Sequence, residues 1–116
     1  MARRHKYNAR KTVIDGHTFD SRAEARRYQE LKLLEKQRLI SRIELQPAYV
    51  LQETFKNGKG KTCRSIKYIA DFRYYDLKTG ECIVEDVKGQ KTSAYQIKKK
   101  WFEKLYYPQT ITEVQA

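Results

Sequence analysis

Two rhythms of apolar and polar positions alternate along the chain. Thr12-Val13-Ile14 and His17-Thr18-Phe19 are short apolar runs on either side of Asp15-Gly16, a pattern that predicts a β-hairpin. Asp20-Ser21 then opens a helix. Ser21 followed by Glu24 fits a capping box, and the helical period places Tyr28, Leu31 and Leu34 on one side as far as about Gln37. Beyond Gln46-Pro47 the rhythm changes to that of strands, expected over Ala48–Phe55, Arg64–Tyr75 and Cys82–Lys88. Asn57-Gly58-Lys59-Gly60 and Lys78-Thr79-Gly80 supply the turns between them. Thr92-Ser93 caps a second helix over about Ala94–Tyr107, with Ile97, Trp101, Phe102, Leu105 and Tyr106 as its apolar stripe. Pro108 stops it, and Thr110–Val114 forms a last strand.

The predicted order is therefore hairpin, α, β, β, β, α, β. This is an α/β chain in which an antiparallel meander gains a final strand after a helical crossover, giving a mixed sheet flanked by helices. No repeat, low-complexity linker or second unit interrupts residues 12–116, which read as one domain behind a basic, flexible arm at residues 1–11.

Charge narrows the partner. The 116 residues carry 25 Lys and Arg against 14 Asp and Glu, a net charge of +11. Such an excess marks binding to a polyanion, because each cation beside a phosphate releases a condensed counterion. Nucleic acid ranks above an anionic membrane, since no long basic amphipathic segment has a clean apolar face. The chain has no membrane-length apolar run and no secretory signal, which places it in the cytoplasm. Cys63 and Cys82 form no CxxC pair, and with His5 and His17 they match no zinc spacing, so they are expected to be free thiols.

The candidate chemistry comes from strand alternation. On Arg64–Tyr75 the residues Ile66, Tyr68, Ala70, Phe72 and Tyr74 share one face, while Asp71 points to the other beside Ile69 and Arg73. On the next strand Cys82, Val84, Asp86 and Lys88 share a face, opposite Ile83, Glu85 and Val87. Pairing through the Lys78-Thr79-Gly80 turn brings Asp71 near Asp86 and Lys88. Two converging carboxylates repel unless a hard cation such as Mg²⁺ or Mn²⁺ lies between them. A lysine beside them can orient water and offset charge on a phosphate. Taken singly, Asp71 reads as a solvated polar residue and Asp86 with Lys88 as a surface pair; the ordered set in a basic chain favours a hydrolytic phosphodiester site.

Ile69-Ala70-Asp71-Phe72 followed by Val84-Glu85-Asp86-Val87-Lys88-Gly89 resembles the PD-(D/E)XK nuclease superfamily. Asp71 matches the first acidic position and Asp86-Val87-Lys88 the second element, with Ala70 where the family's name has proline. Glu85 has the wrong spacing to Lys88 and reads as a non-catalytic neighbour. The resemblance implies a restriction-endonuclease-like core. Ser21-Arg22-Ala23-Glu24 and Gln46-Pro47 look like the layout of TnsA-type endonucleases, which like archaeal Holliday junction resolvases carry a metal-site glutamate in the first helix. The chain also looks like a family of small phage-encoded proteins of unassigned function. Glu24 thus has two readings, metal ligand with Asp71 and Asp86 or capping-box partner of Ser21. Lys98 has two as well, a second basic group aimed at the scissile phosphate or a lysine reaching past the core to solvent.

The expected function is a Mg²⁺-dependent DNA endonuclease with Glu24, Asp71, Asp86, Lys88 and Lys98 at its site. Arg3, Arg4, Lys6, Arg10, Lys11, Lys99 and Lys100 are expected on phosphates. A two-fold homodimer cutting branched DNA beside phage replication or recombination proteins follows from the resolvase resemblance. The alternatives are a non-catalytic nucleic-acid-binding phage protein that retains the fold, and a basic assembly or adaptor protein. The arm can be tested directly. Removing residues 1–11 should flatten the slope of log affinity against log salt by about 0.9 for each duplex phosphate that the arm neutralises. Anisotropy titrations over a range of NaCl concentrations measure that slope, and an unchanged slope places the phosphate-binding surface elsewhere.

Overall fold

The computed structural model describes residues 11–116, so Arg3, Arg4, Lys6 and Arg10 lie outside the described residues. It opens with a hairpin of β1 (Thr12–Ile14) and β2 (His17–Phe19), paired antiparallel. Asp15 and Gly16 turn it at φ 53° and 78°, left-handed positions that glycine and short polar residues tolerate best. Helix α1 (Arg22–Lys36) follows, N-capped by Ser21, whose Oγ accepts from the Glu24 N–H at 3.1 Å. The Ser21 hydroxyl in turn donates to Glu24 Oε2 at 3.2 Å. The sequence places this helix correctly because cap and apolar period agree.

The next element departs from expectation. Strand β3 (Ile40–Leu45) has no counterpart in the predicted order. Its inward positions Ile40, Ile43 and Leu45 are spaced by three and then two residues, because a bulge lies between Ser41 and Glu44 and Arg42 sits at φ 57°. A bulge removes the strict alternation by which a strand is read. The strand expected over Ala48–Phe55 divides into β4 (Ala48–Gln52) and β5 (Phe55–Lys56), the latter pairing with β6 (Thr62–Cys63) as a hairpin. The strand expected over Arg64–Tyr75 also divides, into β7 (Ile66–Ile69) and β8 (Phe72–Asp76).

Strand β9 (Cys82–Lys88), helix α2 (Ser93–Leu105) and strand β10 (Ile111–Gln115) complete the chain. The main sheet has the order β10-β9-β8-β3, with β10 parallel to β9 and the other pairs antiparallel. The expected α/β class and mixed sheet are observed. Outside that sheet β4 pairs antiparallel with β7. The two ladders meet at a shared bend, where Gln46 N–H donates to Asp71 O at 3.0 Å and Ala70 N–H to Pro47 O at 3.1 Å. Gln46 stands at φ 51° there. Backbone bonding thus continues while both strands of the ribbon change direction together.

That bend corrects the face assignment. Ile66, Tyr68, Ala70, Phe72 and Tyr74 do not share a face. Tyr68 and Ala70 enter the cluster formed with Tyr95 and Phe102 of α2, and Ile66 packs against it. Phe72 and Tyr74 join the cluster formed with Ala25, Tyr28 and Leu31 of α1. The ribbon therefore passes from one core to the other at Asp71. Each fully buried large apolar side chain, such as Phe72 or Phe102, contributes roughly 1.5–3 kcal/mol. Reversing the exchange would bring several such side chains out of their cores. The stripe of α2 is also rotated from expectation. Tyr95 and Phe102 face inward, while Ile97 is 62% and Leu105 49% exposed.

Helix α1 is fixed to the sheet by one buried contact. Glu85 is 1% exposed at the centre of β9. Arg27 clasps it with Nε to Oε1 at 2.9 Å and Nη2 to Oε2 at 2.6 Å, and the Tyr74 hydroxyl donates to the same carboxylate. Both oxygens of the Glu85 carboxylate are thereby occupied. Removing one member of a buried pair strands the other charge, so Arg27→Ala should destabilise the fold by about 3 kcal/mol. Arg27→Ala/Glu85→Gln should recover part of that loss, because no orphan charge remains. Urea denaturation followed by circular dichroism checks both. A double variant no more stable than Arg27→Ala would refute the electrostatic account.

Candidate active site

Asp71 occupies the bend of the ribbon. Its backbone N–H donates to Glu85 O at 3.0 Å, and its Oδ2 accepts from the Val87 N–H at 2.7 Å. The side chain therefore reaches back over β9 at the level of Asp86. Alternation along β9 sends Glu85 toward α1 and Asp86 toward α2. Asp86 is 2% exposed. The Tyr68 hydroxyl donates to its Oδ2, and Lys88 Nζ lies 3.3 Å from its Oδ1. Lys88 also stacks its ammonium over the Tyr95 ring, 4.2 Å from the centroid, which holds a flexible side chain beside the carboxylate.

Glu24 approaches from the first turn of α1. It stands one turn before Arg27, so the clasp on Glu85 also sets where Glu24 meets the sheet. Its capping role is visible in its contacts. Ser21 holds Oε2, and the carboxylate also lies beside Asp71. Asp71 is thus flanked by Glu24 on one side and Asp86 on the other, each within reach of a side-chain hydrogen bond when one partner carries a proton. Burial, then a hydrogen bond with the Glu24 carboxyl and its charge, pushes the Asp71 carboxyl up to about 7. Burial, then Asp71, pushes Asp86 up to about 7 as well. Tyr68 is raised too, by burial and by the Asp86 carboxylate that holds its proton.

Lys98 stands one turn from both Tyr95 and Phe102 on the inward side of α2. It is half-buried and has no ion-pair partner among the described residues. Lys99 is paired with Glu103 at 3.1 Å, which weakens it as a phosphate contact. Lys11 and Lys100 are exposed. Cys63 and Cys82 are both free thiols. Sequence reasoning missed Tyr68 as the partner of Asp86, Tyr95 as the ring under Lys88, and Arg27 and Tyr74 as the partners of Glu85. Nothing in a single strand's alternation says which tyrosine will cross a bend to meet which carboxylate.

A cleft of about 150 Å³ opens beside Glu24 and Asp71, bordered by His17, Leu45, Gln46 and Phe72. Glu24, Asp71 and Asp86 offer oxygen donors of the kind a hard divalent cation takes, and their mutual repulsion is what such a cation relieves. In donor chemistry the residues fit Mg²⁺ or Mn²⁺. Among the described residues no group of three or more His, Cys, Asp or Glu side chains is drawn together as a ligand set. No helix among the described residues is long and apolar enough to cross a membrane.

The chain belongs to a family described as proteins of unknown function (DUF1064), which matches residues 4–115. No curated protein and no solved structure matches it.

The raised carboxyls predict how stability depends on pH. Both Asp71 and Asp86 move from an ordinary 3.8 to about 7 on folding, so the folded chain binds their protons more tightly than the unfolded chain. Their contribution is complete below an ordinary carboxyl pKa and is lost as pH rises through the folded one, near 7. In EDTA the melting temperature should fall across that window. Asp71→Asn should flatten the fall, and Mg²⁺ should restore stability on the alkaline side. Thermal melts from acid to mildly alkaline pH measure it, and equal slopes for the native chain and Asp71→Asn would refute it.

Proposed function

For this member of the family we propose a divalent-metal-dependent DNA endonuclease that hydrolyses phosphodiester bonds, built on a restriction-endonuclease-like core. The observation that carries the reading is the position of Asp71, held at the bend between two cores with Glu24 on one side and Asp86 and Lys88 on the other. The succession α1, bent ribbon, β9, α2, β10 supports the core assignment. The net charge of +11 supports a nucleic-acid substrate.

Glu24, Asp71 and Asp86 would hold the cation. When bound, it supplies Lewis-acid polarisation of the phosphate and lowers the pKa of a coordinated water. The chain's own groups do the positioning. Tyr68 and Lys88 occupy different oxygens of Asp86, so the carboxylate cannot rotate freely. The Val87 N–H does the same for Asp71. Lys88 places a positive charge where negative charge builds on the phosphate oxygens as water adds to phosphorus and the sugar oxygen departs with a proton. Glu24 and Asp71 face the cleft through which a phosphate would approach. One chain carries one such cluster, so cutting both strands of a branched DNA calls for a two-fold homodimer.

Supercoiled plasmid and a synthetic four-way junction, each incubated with Mg²⁺, Mn²⁺ or EDTA, test the reading. Cleavage should need the ion and vanish in Asp71→Ala and Asp86→Ala. Lys88→Ala should bind the ion in calorimetry and lose about 10²- to 10³-fold in rate. Glu24→Gln keeps a capping side chain, so a loss of activity at unchanged melting temperature assigns Glu24 to the ion. Full activity in Asp71→Ala would remove the site. DNA binding without cleavage in any condition would make the chain a non-catalytic nucleic-acid-binding protein.

A further inference from the structure

The solvent face of α2 carries a feature that neither fold nor active site explains. Ser93, Gln96, Ile97, Lys100, Trp101 and Lys104 line a shallow groove of about 510 Å³. Its apolar floor is Ile97, 62% exposed, and Trp101, whose inner edge packs against the core cluster while the rest remains accessible. No carboxylate lines the groove. Lys100 and Lys104 stand one turn apart on its rim, and neither has an ion-pair partner among the described residues. The neighbouring Lys99 is instead paired with Glu103. An exposed isoleucine and a half-exposed tryptophan thus adjoin two unpaired lysines on one side of the helix.

We propose that this groove binds an unpaired segment of nucleic acid, with a base stacked on Trp101 and the flanking phosphates on Lys100 and Lys104. The charge of the rim selects a polyanion, and the flat indole selects a partner with exposed ring faces. Duplex DNA hides its base faces, whereas a single strand presents them. A nucleic-acid strand satisfies both conditions at once. A second copy of this chain, at +11, would bring like charge to the rim. The placement gives the proposed nuclease a preference for DNA with unpaired or splayed strands, and in that consequence it rests on the nuclease reading. The binding itself does not.

Trp101 is the single tryptophan of the chain, so its fluorescence reports this groove alone. An oligo-dT strand of about 12 nucleotides, titrated in EDTA to prevent cleavage, should quench it, and a blunt duplex of equal length should not. Anisotropy of the labelled strand then measures the variants. Trp101→Ala should weaken binding at least about fivefold, the effect of removing the ring on which one base stacks. Lys100→Gln/Lys104→Gln, which leaves the core untouched, should reduce the salt slope by about 1.4 for two single-strand phosphates. Absence of quenching, or binding by the double lysine variant with the native affinity and slope, overturns the inference. So does a dimer that sediments normally and dissociates in Trp101→Ala without any quenching by the strand, because a second copy would then occupy the groove. Plasmid cleavage with no quenching removes this site and leaves the nuclease, and quenching without cleavage under Mg²⁺ or Mn²⁺ does the reverse.

Discussion

Glu85 lies on β9, an interior strand of the main sheet, with its carboxylate almost wholly withdrawn from water, and such a group is tolerated only when its charge and both its oxygens are satisfied. Arg27 and Tyr74 satisfy it from two different elements. The bidentate fork of an arginine has little freedom of approach. It therefore specifies where α1 crosses the sheet and which face of β9 looks toward it. Because alternation along a strand is strict, assigning Glu85 to the α1 side assigns Asp86 to the α2 side. The positions of Glu24, one turn up the helix, and of Asp86, one residue along the strand, are both consequences of the same contact.

The second constraint is the bend. A strand that continued straight through Ala70 and Asp71 would present Tyr68 and Phe72 to the same layer. The ribbon instead divides them between two aromatic cores, one under each helix. Its partner strand bends at the same level, so the hydrogen bonds from Gln46 to Asp71 and from Ala70 to Pro47 keep the backbone satisfied through the change of direction. Asp71 stands at that crossing. A residue there is neither in the strand pleat nor free in a loop, and its side chain can reach the backbone of the neighbouring strand at Val87. The geometry of the acidic cluster is in this sense a property of the bend rather than of either strand.

Crowding carboxylates in a half-dry site opposes folding, and the surrounding side chains offset only part of it. Tyr68 and Lys88 serve Asp86, Ser21 serves Glu24, and the Val87 N–H serves Asp71. What is left over appears as carboxyl groups that hold their protons to near neutrality. The proposed metal-assisted phosphate chemistry draws on groups poised in this way. Charge pairing also shapes α2, where Glu103 neutralises Lys99, while Lys98, Lys100 and Lys104 have no ion-pair partner among the described residues.

The sequence by itself determined the elements whose signals are local. Ser21 and Thr92 announced their helices, Asp15-Gly16 its hairpin, and Lys78-Thr79-Gly80 the turn between β8 and β9. It also drew attention to Asp71, Asp86 and Glu24, because an acidic residue on an apolar strand or helix face is conspicuous wherever that face turns, and to Lys88 by its spacing from Asp86. Only the tertiary structure decided the rest. Strand β3 was hidden by its bulge, and the division of Arg64–Tyr75 by a bend that its unbroken alternation conceals. The exposure of Ile97 and of part of Trp101 depends on how Phe102 and Tyr95 lock α2 onto the sheet, since the two lie toward one edge of the apolar arc and the period alone does not say which part of that arc faces inward. The partners of Glu85 and Asp86 were likewise beyond reach. Local pattern fixes periods and caps, whereas the pairing of side chains many residues apart is settled by which layers come together and by the high cost of leaving a buried charge alone.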